Sequence, residues 1–139
     1  MNTSEPPDYL SFNNLRTANE IRQAEWCPDQ NIPDLSFRGL ELAGEVGEAC
    51  NVMKKLERER LGWRGSRDTR EHLAEELADV IICCDLVAMQ SGIDLGAAVR
   101  AKFNATTEKV GLTTFLHRGC AACDRGDFQL GHADDCPKK

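Results

Sequence analysis

The chain has 139 residues, of which 41% are hydrophobic and 29% charged, a composition that suits one folded domain of about 100–150 residues and excludes a disordered chain. Its 17 Lys plus Arg against 23 Asp plus Glu give a net charge of −6, which argues against nucleic acid or a membrane surface as the partner. No apolar run approaches the ~20 residues that cross a bilayer, and the first residues lack the pattern of a signal peptide, so we expect a cytoplasmic protein.

The spacing of apolar residues predicts four helices, and strand-like alternation is not sustained anywhere in the sequence. In chain order we place them at about residues 14–25, 35–61, 69–90 and 95–111. The residues that we assign as their N-terminal caps are Asn13 or Asn14, Asp34 or Ser36, Asp68 or Thr69, and Asp94. The sequence therefore predicts an all-α fold.

The second and third predicted helices carry acidic residues at the edges of their apolar faces. Glu41, Glu45 and Glu48 follow helical spacing on one, and Glu76 and Asp79 follow it on the other. A short connection makes these helices antiparallel neighbours, so the two acidic edges can face each other. Converging carboxylates suit Mg²⁺ or Mn²⁺, and Mg²⁺ in proteins is commonly shared with substrate phosphates. The simpler alternative is a solvated acidic surface.

Iron is a second alternative for such a cluster. Di-iron helical bundles pair each carboxylate with a histidine at Glu-x-x-His spacing. Here the residue three positions before His72 is Thr69, and His117 and His132 lie outside the predicted helices. We therefore expect no imidazole at the cluster, which favours Mg²⁺ or Mn²⁺ over iron.

The pattern Glu45-x-x-Glu48, followed after residues 49–75 by Glu76-x-x-Asp79, resembles the ExxE…ExxD signature of the MazG-like all-α nucleoside triphosphate pyrophosphohydrolases. The resemblance covers about residues 13–112. It extends to the flanking segments, which are LELAGEVGEA at 40–49, EELADV at 75–80, GIDL at 92–95 and KFN at 102–104.

The resemblance implies a four- to five-helix bundle that assembles as a homo-oligomer, commonly a dimer of dimers. It implies hydrolysis of a nucleoside triphosphate between the α and β phosphates, giving a monophosphate and pyrophosphate. The metal ligands for two or three Mg²⁺ or Mn²⁺ ions would be Glu45, Glu48, Glu76 and Asp79. Glu41 would be a further catalytic residue that either orients the attacking water or holds a further ion.

Similarity to phage members of the family points to (d)GTP as the substrate, within diaminopurine nucleotide metabolism in the host cytoplasm. Two alternatives remain open at this stage. One is a housecleaning pyrophosphohydrolase for dUTP, dCTP or non-canonical nucleotides, and the other is a non-catalytic regulator that carries zinc.

Residues that would bind the substrate are less easily identified from the sequence. Basic groups near the carboxylates would hold the phosphates, while an aromatic ring or side-chain amides would contact the base and sugar. For most of them a solvated surface or core position is the simpler alternative. The candidates are Lys54, Lys55, Arg58, Lys102 and Lys109 for the phosphates, and Asn19, Trp26 and Asn104 for the nucleoside.

A short tail, residues 115–139, follows the predicted helical domain of residues 1–114. Within it, Cys120-x₂-Cys123-x₈-His132-x₃-Cys136 has a spacing suited to a tetrahedral zinc ion. Four protein ligands leave no open position, so such a zinc would be structural. The alternative is a disordered tail with incidental thiols.

Overall fold

A computed structural model of the protein describes residues 10–27, 29 and 31–117. All regular secondary structure in this part of the chain is α-helical, so the predicted all-α fold class is confirmed. The helices are α1 (Phe12–Trp26), α2 (Leu35–Arg60), α3 (Arg70–Gln90) and α4 (Leu95–Val110). Within the same residues no single helix is both long and apolar enough to cross a membrane; only α3 and α4 taken together meet the criterion of length and composition.

The N-terminus of α1 is capped by a reciprocal pair of hydrogen bonds. The Ser11 hydroxyl accepts a hydrogen bond from the Asn14 backbone N–H at 3.1 Å, and Asn14 Oδ1 accepts one from the Ser11 N–H at 2.8 Å. This is the arrangement of a capping box. The cap is therefore Ser11, where the sequence had indicated Asn13 or Asn14, because Asn14 acts from inside the first turn.

The caps of α2 and α3 follow the sequence prediction. The Asp34 carboxylate accepts a hydrogen bond from the Phe37 N–H at 2.8 Å, and the Thr69 hydroxyl accepts one from the His72 N–H at 3.1 Å. Each bond satisfies one backbone donor that the first turn leaves without an intrahelical partner. Thr69 fixes the start of α3 and hence the register of the acidic residues that follow.

The described chain divides into two compact units, residues 15–94 and residues 10–14 with 95–117. In the first unit α2 packs along α3. The two helices are antiparallel, because Lys55 on α2 lies beside Asp68 at the start of α3 whereas Glu45, earlier on α2, lies beside Asp79. The buried hydrophobic side chains of the described residues come from these two helices and are Ala49, Val52, Cys83, Leu86 and Ala88.

In the second unit the chain beyond α4 is held against that helix by side-chain hydrogen bonds. The Thr107 hydroxyl donates to the Thr114 carbonyl at 2.8 Å. The Asn104 amide donates to the Leu116 carbonyl at 2.9 Å and accepts from the Leu116 N–H at 2.8 Å. Asn104, predicted to contact the nucleoside, therefore uses both amide atoms to hold the segment after the helix.

Candidate metal centre

Three carboxylates from α2 and α3 meet where these helices pack together. One carboxylate oxygen each of Glu45, Glu76 and Asp79 lies within 4.8 Å of the other two. Glu45 is half-buried, Glu76 is buried and Asp79 is exposed, so the group runs from the helix interface out to solvent. Oxygens bound to one Mg²⁺ ion lie up to about 4.2 Å apart, a separation that small side-chain rotations reach from here.

Glu76 is the most informative member of the group. Its side chain is almost fully enclosed, with only 8% of the residue surface exposed. Oε1 lies 2.7 Å from His72 Nε2, whereas Oε2 is buried and has no hydrogen-bond partner within residues 10–27, 29 and 31–117. A buried carboxylate oxygen without a partner is costly, and a bound cation would remove that cost. The donor set, all carboxylate oxygen, suits a hard divalent ion such as Mg²⁺ or Mn²⁺.

The electrostatics of the cluster also favour a cation. The pKa of Glu45 is raised by burial, and then by the negative charges of Asp79, Glu48, Glu76 and Glu41. A raised carboxyl pKa means that the ionised form is disfavoured by its surroundings. A divalent cation between these groups would relieve that repulsion.

Glu48 and Glu41 lie at the margin of the cluster. Glu48 is exposed and outside the group of three converging oxygens, although it is close enough to raise the pKa of Glu45. Glu41 accepts a hydrogen bond from Arg38 Nη1 at 2.6 Å, and Arg38 Nη2 donates to Gln23 at 2.9 Å. Arg38, which is 5% exposed, was not predicted as part of the site. Its position one helical turn before Glu41 could have indicated the contact.

A chain of charged contacts leads to Glu76 from the far end of α2. Lys55 Nζ donates to Asp68 Oδ2 at 2.8 Å, and Asp68 Oδ1 lies 2.6 Å from His72 Nδ1. The other ring nitrogen of His72 then contacts Glu76. The expectation that no imidazole lies at the cluster is therefore wrong, because Asp68, His72 and Glu76 are each separated by four residues, a spacing that brings side chains together on a helix.

The protonation states of His72 and Asp68 follow from their contacts. Both nitrogens of the His72 ring face carboxylate oxygens, an arrangement that the imidazolium form satisfies by donating from each. The pKa of His72 is raised, chiefly by its hydrogen bond with Asp68. The hydrogen bond from Lys55, and then that from His72, holds the pKa of Asp68 well below its usual range.

The basic residues predicted on α2 differ in availability. Lys54 is exposed, whereas Lys55 is paired with Asp68. Arg58 is half-buried and lies against Gly65, where a Cβ would come within 2.7 Å of Arg58 Nη1. Lys54 is therefore the α2 candidate whose ammonium group is most open to a ligand.

The other substrate candidates are also divided. Asn19 is 1% exposed, donates from Nδ2 to Asp85 at 2.9 Å and accepts from Arg22 at 3.1 Å, so its amide is used within the chain. Trp26 is 75% exposed, with the Arg22 guanidinium 5.5 Å from its ring centroid. Lys102 and Lys109 are exposed on α4, in the second unit.

The predicted zinc ligands lie outside the described residues. They are Cys120, Cys123, His132 and Cys136. The zinc site therefore stays a prediction from the sequence.

Neither a model of a known protein family nor a curated protein sequence matches this chain. Membership of the MazG-like pyrophosphohydrolases therefore stays a prediction from the signature residues. The function has to be inferred from the carboxylates that α2 and α3 bring together.

Proposed function

We propose that this chain is a Mg²⁺- or Mn²⁺-dependent nucleoside triphosphate pyrophosphohydrolase. The observation that carries the proposal is the convergence of Glu45, Glu76 and Asp79, in which the buried Glu76 keeps one oxygen without a partner. This is an arrangement that holds hard divalent cations, and the same residues supply three of the four positions of the family signature. The site is also half open, since Asp79 is exposed.

Hydrolysis of a nucleoside triphosphate requires an activated water molecule and compensation of the negative charge of the phosphates. Water must attack the α phosphorus, forming a new P–O bond while the bond to the α–β bridging oxygen breaks and pyrophosphate leaves. A bound divalent ion lowers the pKa of water and offsets the charge of the triphosphate. Glu45, Glu76 and Asp79 would hold the ion, and Glu48, the fourth residue of the signature, would complete the ligand set.

Binding of the substrate would use exposed basic and aromatic side chains. Lys54, exposed on the same helix as Glu45, is the α2 candidate for a phosphate contact. The exposed ring of Trp26 offers a surface on which a base can stack. The preference for (d)GTP is supported by sequence likeness to phage members alone, so the base and sugar are for the assay to decide.

The chain is proposed to act as a homo-oligomer, a dimer of dimers in the form that the resemblance implies. Large hydrophobic side chains are extensively exposed on the helices of the single chain. On α2, Val46 and Met53 are 42% and 44% exposed, and on α3, Leu77 and Ile81 are 48% and 47% exposed. An interface between copies of the chain would bury these side chains. Light scattering that shows a monomer at micromolar concentration would contradict this assembly.

The experiment that tests the activity is an assay of the purified protein with each of the eight common NTPs and dNTPs in the presence of Mn²⁺, with separation of the products. Monophosphate and pyrophosphate from guanine nucleotides alone would support the (d)GTP form of the proposal. The same products from dUTP or dCTP would support the housecleaning alternative. No turnover of any nucleotide, by a protein that is folded and binds Mn²⁺, would overturn the proposed activity.

The zinc site of the tail is a separate proposal that rests on its ligand spacing. Elemental analysis of the protein purified without chelator is expected to find about one zinc per chain, as four Cys and His ligands would give. Absence of zinc would leave these thiols without a structural role.

A further inference from the structure

Glu76 differs from its partners in the cluster in how its carboxylate is held. A glutamate has three rotatable side-chain bonds, so its carboxylate can occupy many positions unless neighbouring groups restrict it. In this structure Glu76 Oε1 is fixed by a 2.7 Å contact with His72 Nε2. Oε2 is buried and has no hydrogen-bond partner among the residues that the structure describes. One oxygen is thus restrained and the other is left available.

His72 is itself restrained from the opposite side of its ring. Its Nδ1 lies 2.6 Å from Asp68 Oδ1, and the second oxygen of Asp68 accepts a hydrogen bond from Lys55 at 2.8 Å. Asp68 is 8% exposed at its side chain, and it precedes Thr69, the cap of α3. The imidazole is therefore held in one orientation by a group fixed to the start of the helix.

We propose that His72 is a positioning residue for the metal centre, which orients Glu76 through Oε1 so that Oε2 is presented to the divalent cation. Asp68 and Lys55 hold the ring in the orientation that this requires. The inference rests on the proposed function, because it assumes that Glu76 binds the ion. Groups that hold a metal ligand in this way commonly change metal affinity by about 10–100-fold when they are removed.

Two substitutions separate the contacts of the ring. In His72→Gln, the side-chain amide nitrogen takes the place of Nε2, so a donor to Glu76 is kept while the contact with Asp68 is lost. In His72→Asn, the amide nitrogen takes the place of Nδ1, so a donor to Asp68 is kept while the contact with Glu76 is lost. His117→Asn, at an exposed histidine, is the matched control.

The measurement is titration of the full chain with Mn²⁺ alone, with free Mn²⁺ followed by electron paramagnetic resonance. We expect His72→Asn to weaken Mn²⁺ binding by about 10–100-fold. His72→Gln is expected to weaken it less, because it keeps the donor to Glu76 and loses only the restraint from Asp68. His117→Asn is expected to bind Mn²⁺ like the unmodified protein. Thermal unfolding without metal is measured in parallel, since a merely structural role would lower the melting temperature without separating Gln from Asn in Mn²⁺ affinity.

The outcomes distinguish the two levels of the proposal. If the unmodified protein binds Mn²⁺ and His72→Asn binds it equally well, the positioning role is wrong while the metal centre stands. Equal losses in the Gln and Asn variants would also overturn it, because the donor to Glu76 would then make no difference to Mn²⁺ affinity. If the unmodified protein does not bind Mn²⁺ at millimolar concentration, the metal centre and the role of His72 are overturned together.

Discussion

Helix α3 carries two buried carboxylates, Glu76 and Asp85, whose surroundings are opposite. Asp85 is 1% exposed and fully paired within the chain, since Oδ1 accepts from Arg16 Nη2 at 2.9 Å and Oδ2 accepts from Asn19 at 2.9 Å. Glu76 has one oxygen to which no described residue is hydrogen-bonded, and it lies beside Glu45.

Asp85 and Glu76 differ in how the negative charge of each carboxylate is compensated. Arg16 balances the charge of Asp85, and the pair joins α1 to α3, so folding by itself accounts for that residue. Among the described residues, Glu76 has its ion pair with His72, and the carboxylates of Glu45 and Asp79 that lie beside it are themselves acidic. Where the described part of the chain leaves such a buried group uncompensated, a bound cation would compensate it.

The largest expected effect is on catalysis at the uncompensated carboxylate. Glu76→Gln removes a ligand charge while nearly keeping the shape, and we expect turnover to fall by about a thousandfold or more, because metal-ion catalysis supplies several kcal/mol of barrier lowering. The matched control is Glu75→Gln at the neighbouring exposed position, which should retain full turnover. Steady-state kinetics with Mn²⁺ measures both, and near-normal turnover by Glu76→Gln would remove it from the site.

Replacing Asp85, the compensated carboxylate, should lower the stability of the protein. Asp85→Ala leaves Arg16 and Asn19 without their shared partner, and we expect the free energy of unfolding to fall by about 3 kcal/mol, because breaking a buried ion pair exposes its full desolvation cost. Urea unfolding measures this. Glu57→Ala, which breaks the exposed pair with Arg60, is the control and should have a far smaller effect. Equal losses in the two variants would show that burial of Asp85 does not matter.

The helices and two of their caps could be predicted from the sequence, because they depend on the spacing of residues close together in the chain. Asp34 and Thr69 cap α2 and α3 as predicted, since capping involves residues three positions apart in the sequence. Ser11 was missed because Asn13 and Asn14 are equally good caps by residue type, and only the backbone geometry decides among them.

The convergence of three carboxylates in the candidate site could also be predicted from local spacing. Glu76 and Asp79 lie on one side of α3 by helical spacing, and antiparallel pairing of neighbouring helices brings Glu45 to them. The contact between His72 and Glu76 is also local, since the two residues are four positions apart. It was not predicted, because His72 was compared only with the three-residue spacing of di-iron sites.

The long-range partners could not have been predicted in this way. Asn19 had the residue type of a nucleoside contact, yet Asp85, 66 positions later, occupies its amide. Lys55 is paired with Asp68 across the connection between α2 and α3. Such pairings depend on how the helices rotate against each other, which single-helix periodicity does not determine.

The comparison also predicts how metal should change stability. A ligand that binds only the folded state stabilises it by about 2.7 kcal/mol when present at a hundred times its dissociation constant. We expect this gain from Mn²⁺ in the unmodified protein and also in Asp85→Asn, whose starting stability is lower. The gain should be much smaller in Glu76→Gln at the same Mn²⁺ concentration, and EDTA should abolish it in every case. Calorimetric melting with and without Mn²⁺ measures the gain, and an equal gain in Glu76→Gln would place the ion elsewhere.

The smallest expected effect concerns Asp68, which stands between the two cases because it is paired with Lys55 yet also leads to Glu76 through His72. The pKa of Asp68 is lowered in the folded protein, so its ionised form stabilises the fold above the ordinary Asp pKa of about 3.9, and this contribution is lost as the pH falls through the lower folded value. Asp68→Asn should therefore be less stable than the unmodified protein at pH 7, and the difference should narrow at pH 3.

Thermal unfolding of both proteins at pH 7, 5 and 3 follows this narrowing. Glu59→Gln, at an exposed carboxylate on α2, provides a control in which the unmodified stability at pH 7 should be retained. A difference between Asp68→Asn and the unmodified protein that is the same at pH 3 as at pH 7 would mean that the ionised carboxylate does not stabilise the fold.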